Sequence, residues 1–253
     1  MKIVAIALNT FREAVRDKVL YSLLFFALGL IAASVALNRL AIGQQAKLIT
    51  DLGLASISIF GTLIAIFVGI GLVSKEIERR TIFTIISKPV GRGRFLVGKY
   101  FGLVLTLAVE VGIMGACFLG MIAFYTDGTL GPAAVAIGLI FLELCVITSV
   151  ALLFSSFSTP FLSGLFTLAV WVIGHLTPGL RAFGEKAGGA LRPLTQALYL
   201  VLPNFANFNL KAQVVYHQPI EPALVAEVAA YGVVYVTLVL TAATLIFERR
   251  DFT

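Results

Sequence analysis

Residues 52–80 read LGLASISIFGTLIAIFVGIGLVSKEIERR, and this stretch decides the fold class. From Leu52 to Val73 there is no charged side chain, and the run ends abruptly at Lys75, Glu76, Glu78, Arg79 and Arg80. A helix needs about 20 apolar residues to cross a bilayer's hydrocarbon core, and charges gather where such a helix meets water. Residues 52–73 are therefore a membrane span and residues 74–80 its exit.

The same pattern recurs outward from this point. Further spans are predicted over residues 19–38, 97–125, 133–154, 161–176 and 226–247, giving six in all, with TDGTLGP (126–132) and SSFSTP (155–160) as turns. The composition agrees. The chain has 253 residues, 59% of them hydrophobic and 13% charged, with mean hydropathy +1.01, whereas soluble domains carry about 25% charged residues. The prediction is a single all-α transmembrane domain covering residues 1–253. Near the N-terminus, Ile3, Val4, Ala7, Leu8, Phe11, Ala14 and Val15 share one helical face, opposite Asn9, Arg12, Glu13, Arg16 and Asp17. Residues 1–18 are thus expected to lie in the membrane interface. No cleavable signal peptide is expected there, because charges break the apolar run one would need. After the short fifth span, residues 177–225 form an external loop. Within it LTQALYLVLP (194–203) is too short to cross and is expected to be re-entrant or interfacial.

Basic residues set the orientation. Placing both termini inside puts Lys2, Arg12, Arg16, Lys18, Lys75, Arg79, Arg80, Lys88, Arg92, Arg94, Lys99, Arg249 and Arg250 on the cytoplasmic side. Only Arg39, Lys47, Arg181, Lys186, Arg192 and Lys211 are then external. The net charge of +6 is accounted for by headgroup contacts, so no nucleic-acid partner is expected.

Between the second and third spans, Glu76, Arg80, Thr84 and Lys88 recur at four-residue steps while Ile82, Ile85 and Ile86 face the other way, until Pro89 and Gly91 end the pattern. A short charged helix over residues 74–91 is either a docking element for a soluble partner or a basic loop at the headgroups. SKEIERRTIFTIISKPVGRGRFLVGKYFG (74–102) resembles the coupling-helix region of type-2 ABC exporter permeases, through Glu76, Glu78, Thr81, Pro89, Gly98 and Lys99. NTFREAVRDKVLY (9–21) is similar to that family's elbow helix, and FERRDF (247–252) to its cytoplasmic end. LPNFANFN (202–209) is similar to the external segment of the branch that includes the permease of the nitrous-oxide reductase maturation system.

The resemblance implies a six-span permease of the plasma (inner) membrane, working as a homodimer or paired with a second permease copy. It implies two ABC ATPase subunits on another chain, which hold the ATP and magnesium. The ATPase-coupling residues would be Glu76, Glu78, Arg79, Arg80 and Thr81. Residues 93–99, GRFLVGK, imitate a phosphate-binding loop, but Tyr100 replaces the hydroxyl residue that holds magnesium, so no nucleotide cofactor is expected on this chain.

Glu110 and Glu143 fall inside the third and fourth spans. A charge at a span's centre costs about 2.5 to 3.5 kcal/mol, so each should face protein or a wet cavity. They line a translocation path or they fix packing. Gly112, Ala116 and Gly120 form a small-residue stripe suited to close helix contact. Thr148 and Ser149 are candidate hydroxyl partners. His175 and His217 lack the spaced partners of a metal site, and Cys117 and Cys145 lie in apolar runs as free thiols. An ion-coupled carrier using Glu110 and Glu143, or an intramembrane enzyme or assembly factor, are the alternatives to ATP-driven export.

Overall fold

The computed structural model describes residues 2–38, 45–78, 91–125, 130–187 and 191–249. Helix α1 (Lys2–Ala14) is followed by α2 (Lys18–Asn38), α3 (Gln45–Glu78), α4 (Arg92–Tyr125), α5 (Leu130–Phe157) and α6 (Pro160–Ala187). Then come α7 (Leu191–Val201), a 3-10 turn (Phe205–Phe208), the single turn α8 (Lys211–Val215) and α9 (Pro222–Arg249). Six of these, α2 to α6 and α9, are long and apolar enough to cross a membrane. Each expected span falls within one of them.

Asp17 makes the elbow between α1 and α2. Its side-chain Oδ1 accepts from the backbone N–H of Val19 at 3.0 Å, capping the start of α2. Helix α1 then lies along α4, which offers it two glycines one turn apart. A Cβ at Gly102 would stand 2.6 Å from the Ala7 carbonyl oxygen, and one at Gly98 would stand 3.2 Å from that of Ile3. The packing face of α1 differs from the expected apolar stripe. Ile6 and Thr10 meet α4, while Val4 and Leu8 are exposed, because the apolar surface is shared between the bundle and the surrounding lipid.

Helices α3 and α5 are the most enclosed spans. Leu54, Ile57 and Ile64 of α3 pack into one core with Leu107, Met114 and Phe118 of α4 and Leu139, Leu144 and Ile147 of α5. Residues 74–78 continue α3 as helix, and residues 79–90 of the expected 74–91 element, including Arg79, Arg80 and Thr81, lie outside the described residues. Helix α6 runs on past Leu176 through Pro178 to Ala187. Proline has no N–H to give the carbonyl four residues back, and here the Thr177 hydroxyl donates to that carbonyl, Gly174 O, at 2.8 Å. Of the expected short piece over residues 194–203, residues up to Val201 belong to helix α7.

Candidate functional site

Helix α5 is apolar on every face apart from Glu143 and a few hydroxyls. Thr148 and Ser149 turn back on their own helix, donating to Leu144 O and Val146 O at 2.7 Å each, so neither serves another span. Glu143 is 2% exposed and does reach across. Its Oε1 accepts a hydrogen bond from Trp171 Nε1 at 3.1 Å and lies 3.5 Å from His175 Nε2, both on α6. The other ring nitrogen of His175, Nδ1, is 3.1 Å from the Trp171 carbonyl oxygen, which fixes the imidazole between the two.

Trp171, Gly174 and His175 stand at i, i+3 and i+4, so they share one face of α6. Against that face sits the segment between α7 and α8. A Cβ on Gly174 would overlap the Phe205 ring and stand 2.7 Å from the Pro203 carbonyl oxygen. The His175 and Phe205 rings are 5.7 Å apart. Three residues on, Phe208 packs against Gly232 of α9, where a Cβ would meet its ring at 3.2 Å. Phe205 and Phe208 are both fully buried. One hydrogen bond ties the same segment to α9, Asn204 N–H donating to Tyr231 Oη, and another ties the end of α7 to it, Tyr235 Oη–H donating to Val201 O, each at 3.0 Å.

Beside this segment lies an open groove of about 650 Å³ between α5, α6, α7 and α9. Its lining includes Val150, Leu153, Val170, Asn204, Asn207 and the exposed Val234 and Leu238, with no charged residue among them. A second cleft of about 660 Å³ opens between the start of α3 and α8, lined by Lys47, Asp51, Asn209, Lys211 and Tyr216. The Lys47 ammonium lies 4.9 Å from the Tyr216 ring centroid. Burial lowers the pKa of Lys211, and the negative charges of Glu143 and Asp51 oppose that shift.

Glu110 does not join this group. It is 4% exposed on α4, and its Oε2 has no hydrogen-bond partner among the described residues. The backbone of Glu76 and Glu78 is the last turn of α3. The small-residue stripe of α4 turns away from the chain's own bundle: Gly112 and Ala116 are exposed, and a Cβ on Gly112 or Gly120 would meet nothing within 4 Å. Lys99, counted among the headgroup-facing bases, is instead 1% exposed, its Nζ 5.6 Å from the Phe95 ring centroid. Cys145 is buried and Cys117 exposed, both free. His217 adopts φ 52° and is exposed. Among the described residues no three His, Cys, Asp or Glu side chains are grouped to hold a metal. Residues 93–99 are helical throughout, not a phosphate-binding loop.

The partners of Glu143 escaped the sequence reading because Trp171 stands 28 residues away on another span. A Trp and a His one helical turn apart, in the span next to an intramembrane carboxylate, were the available signal.

Six helices long and apolar enough to cross a membrane, a further helix laid along one of them and a carboxylate held between two of them define a multi-pass membrane protein. Residues 4–252 match the family model of ABC-2 family transporter proteins, and the chain belongs to that family. It is accordingly a membrane permease subunit of an ABC transporter, and the family implies association with an ABC ATPase. No curated protein shows a significant match to the chain.

Proposed function

We propose that the chain is the permease half of an ATP-driven exporter in the plasma membrane, with both termini cytoplasmic. It pairs with a second permease copy and with two ATPase subunits that hold ATP and magnesium. The coupling segment is 74–91, with Glu76, Glu78, Arg79, Arg80 and Thr81 as its ATPase-coupling residues. The family match over 4–252 carries this reading. The run of α3 supports it: the apolar window closes at Gly71 and the helix continues to Glu78 without a break. At 1.5 Å per residue that adds about 10 Å of stiff rod beyond the span, so a push at its end reaches the bundle. As part of the same proposal the transporter belongs to the branch that includes the nitrous-oxide reductase maturation permease, a reading supported by the likeness of LPNFANFN alone.

Co-purification from native membranes tests it. A bound ATPase whose hydrolysis requires the permease is the expected result, and a chain that purifies without any ATPase and transports without ATP would sink it. One observation favours an ion-coupled carrier instead, the buried carboxyl of Glu110 with its unpartnered Oε2. Transport that follows a proton gradient and is lost in Glu110→Gln would decide for that reading.

A further inference from the structure

We propose that the cleft between the start of α3 and α8 binds a phosphodiester lipid headgroup that carries one negative charge and free hydroxyls, such as phosphoglycerol. The ammonium groups of Lys47 and Lys211 take the phosphate, and Asp51 takes the hydroxyls. Lys47 and Asp51 are i and i+4 on α3 and so share one face of it, and Asn209, Lys211 and Tyr216 form the opposite wall. Both α3 residues stand just ahead of the uncharged run 52–73. That is the level at which a spanning helix passes from headgroups into hydrocarbon. The cleft, of about 660 Å³, is therefore at headgroup depth.

Its charges are unspent. Among the described residues no ion pair or side-chain hydrogen bond joins Lys47, Asp51 or Lys211 to another side chain. Lys47 meets the face of the Tyr216 ring, 4.9 Å from its centroid, which holds the ammonium at the cleft wall. Lys211 is partly buried and burial lowers its pKa, so its charge is held partly out of water with no counter-ion in contact. A phosphate oxygen supplies one through a charge-assisted hydrogen bond. The Asn209 Oδ1 accepts from the Lys211 backbone N–H at 3.1 Å, which leaves the amide NH2 as a further donor.

Asp51 selects among phosphates. Two ammonium groups and one carboxylate leave a charge of +1, which one phosphodiester at −1 neutralises. A dianionic phosphate overshoots, and Asp51 repels its second charge. A choline headgroup brings its own cation against two lysines, whereas glycerol hydroxyls donate to the Asp51 carboxylate. Leu48, Leu52 and Val215 complete the lining and give apolar wall for the first methylenes of the lipid. This site needs the bilayer and not the ATPase, so it stands whether or not the permease reading does.

The test titrates the purified full chain in detergent micelles with phosphatidylglycerol, phosphatidylcholine or inorganic phosphate, and native mass spectrometry counts what stays bound. One phosphatidylglycerol per chain should bind about tenfold or more tightly than phosphatidylcholine. Lys47→Ala with Lys211→Ala should remove that preference. Lys186→Ala with Arg192→Ala, an equal loss of charge at exposed positions, should keep it. Asp51→Asn, which keeps the shape and removes the repulsion, should let inorganic phosphate compete with the lipid. Equal binding of the two lipids by the parent, or an unchanged preference in the Lys47 and Lys211 variant, would overturn the site. Equal losses in the two double variants would reduce the effect to net charge and overturn it as well. Competition by inorganic phosphate as strong in the parent as in Asp51→Asn would overturn the lipid assignment and make free phosphate the ligand.

Discussion

The indole Nε1 of Trp171 donates to Glu143 Oε1 at 3.1 Å, joining α6 to α5 beside the 3.5 Å approach of His175 Nε2 to the same oxygen. Removing one partner of a buried hydrogen bond costs about 1 to 3 kcal/mol, because the remaining group is left desolvated and unpaired. Glu143→Leu should therefore lower the unfolding temperature of the purified permease, while Glu143→Gln should leave it close to the parent. Transport by Glu143→Gln should also persist. Loss of transport in that variant at normal expression would show that the carboxyl handles protons rather than positions α6.

The contact of α1 with α4 gives a second expectation. Gly102 has no room for a side chain beneath the Ala7 carbonyl, and overpacking of this kind costs about 1 to 3 kcal/mol. Gly102→Leu should lift α1 from α4 and expose Thr10, now 1% exposed, to labelling as Thr10→Cys. Gly112→Ala, on the open side of the same helix, should change stability by less than about 0.5 kcal/mol. Equal effects of the two would mean that α1 is not seated on these glycines.

Orientation is checked by single cysteines in a cysteine-free chain. With cytoplasmic termini, Asn204 and its turn are external, so Asp127→Cys and the exposed Asn207→Cys should label from outside and Arg79→Cys should not. The reverse pattern inverts the topology and removes the proposed coupling segment from the ATPase side.

Charge reversal at both Glu76 and Glu78 to Lys should leave insertion intact and abolish ATPase association or its stimulation. A buried charge that loses its partner costs roughly 3 to 5 kcal/mol, enough to dissociate a docked subunit. Reversing Arg92 and Arg94 should do less, since Arg94 is exposed at the start of α4. If the arginine variant loses the ATPase and the glutamate variant keeps it, the docking surface is the basic stretch and not the end of α3.

The number and place of the spans were legible in the sequence, because crossing hydrocarbon is a demand on length and composition that each helix meets by itself. So was the N-terminal helix up to its turn at Asp17, for amphipathicity is a local property. Helix rotation was not legible. When a span is apolar on all sides its pattern does not say which face meets protein, so Gly112 and Ala116 look outward while Gly98 and Gly102 receive α1. The length of α6 was hidden by Pro178, whose lost hydrogen bond is replaced by the Thr177 hydroxyl. Glu143 announced by its cost that it must have partners, but only the packing of α5 on α6 named Trp171 and His175. The seats of Phe205 and Phe208 likewise exist only where two glycines, on spans far apart in the chain, are brought to either side of one turn.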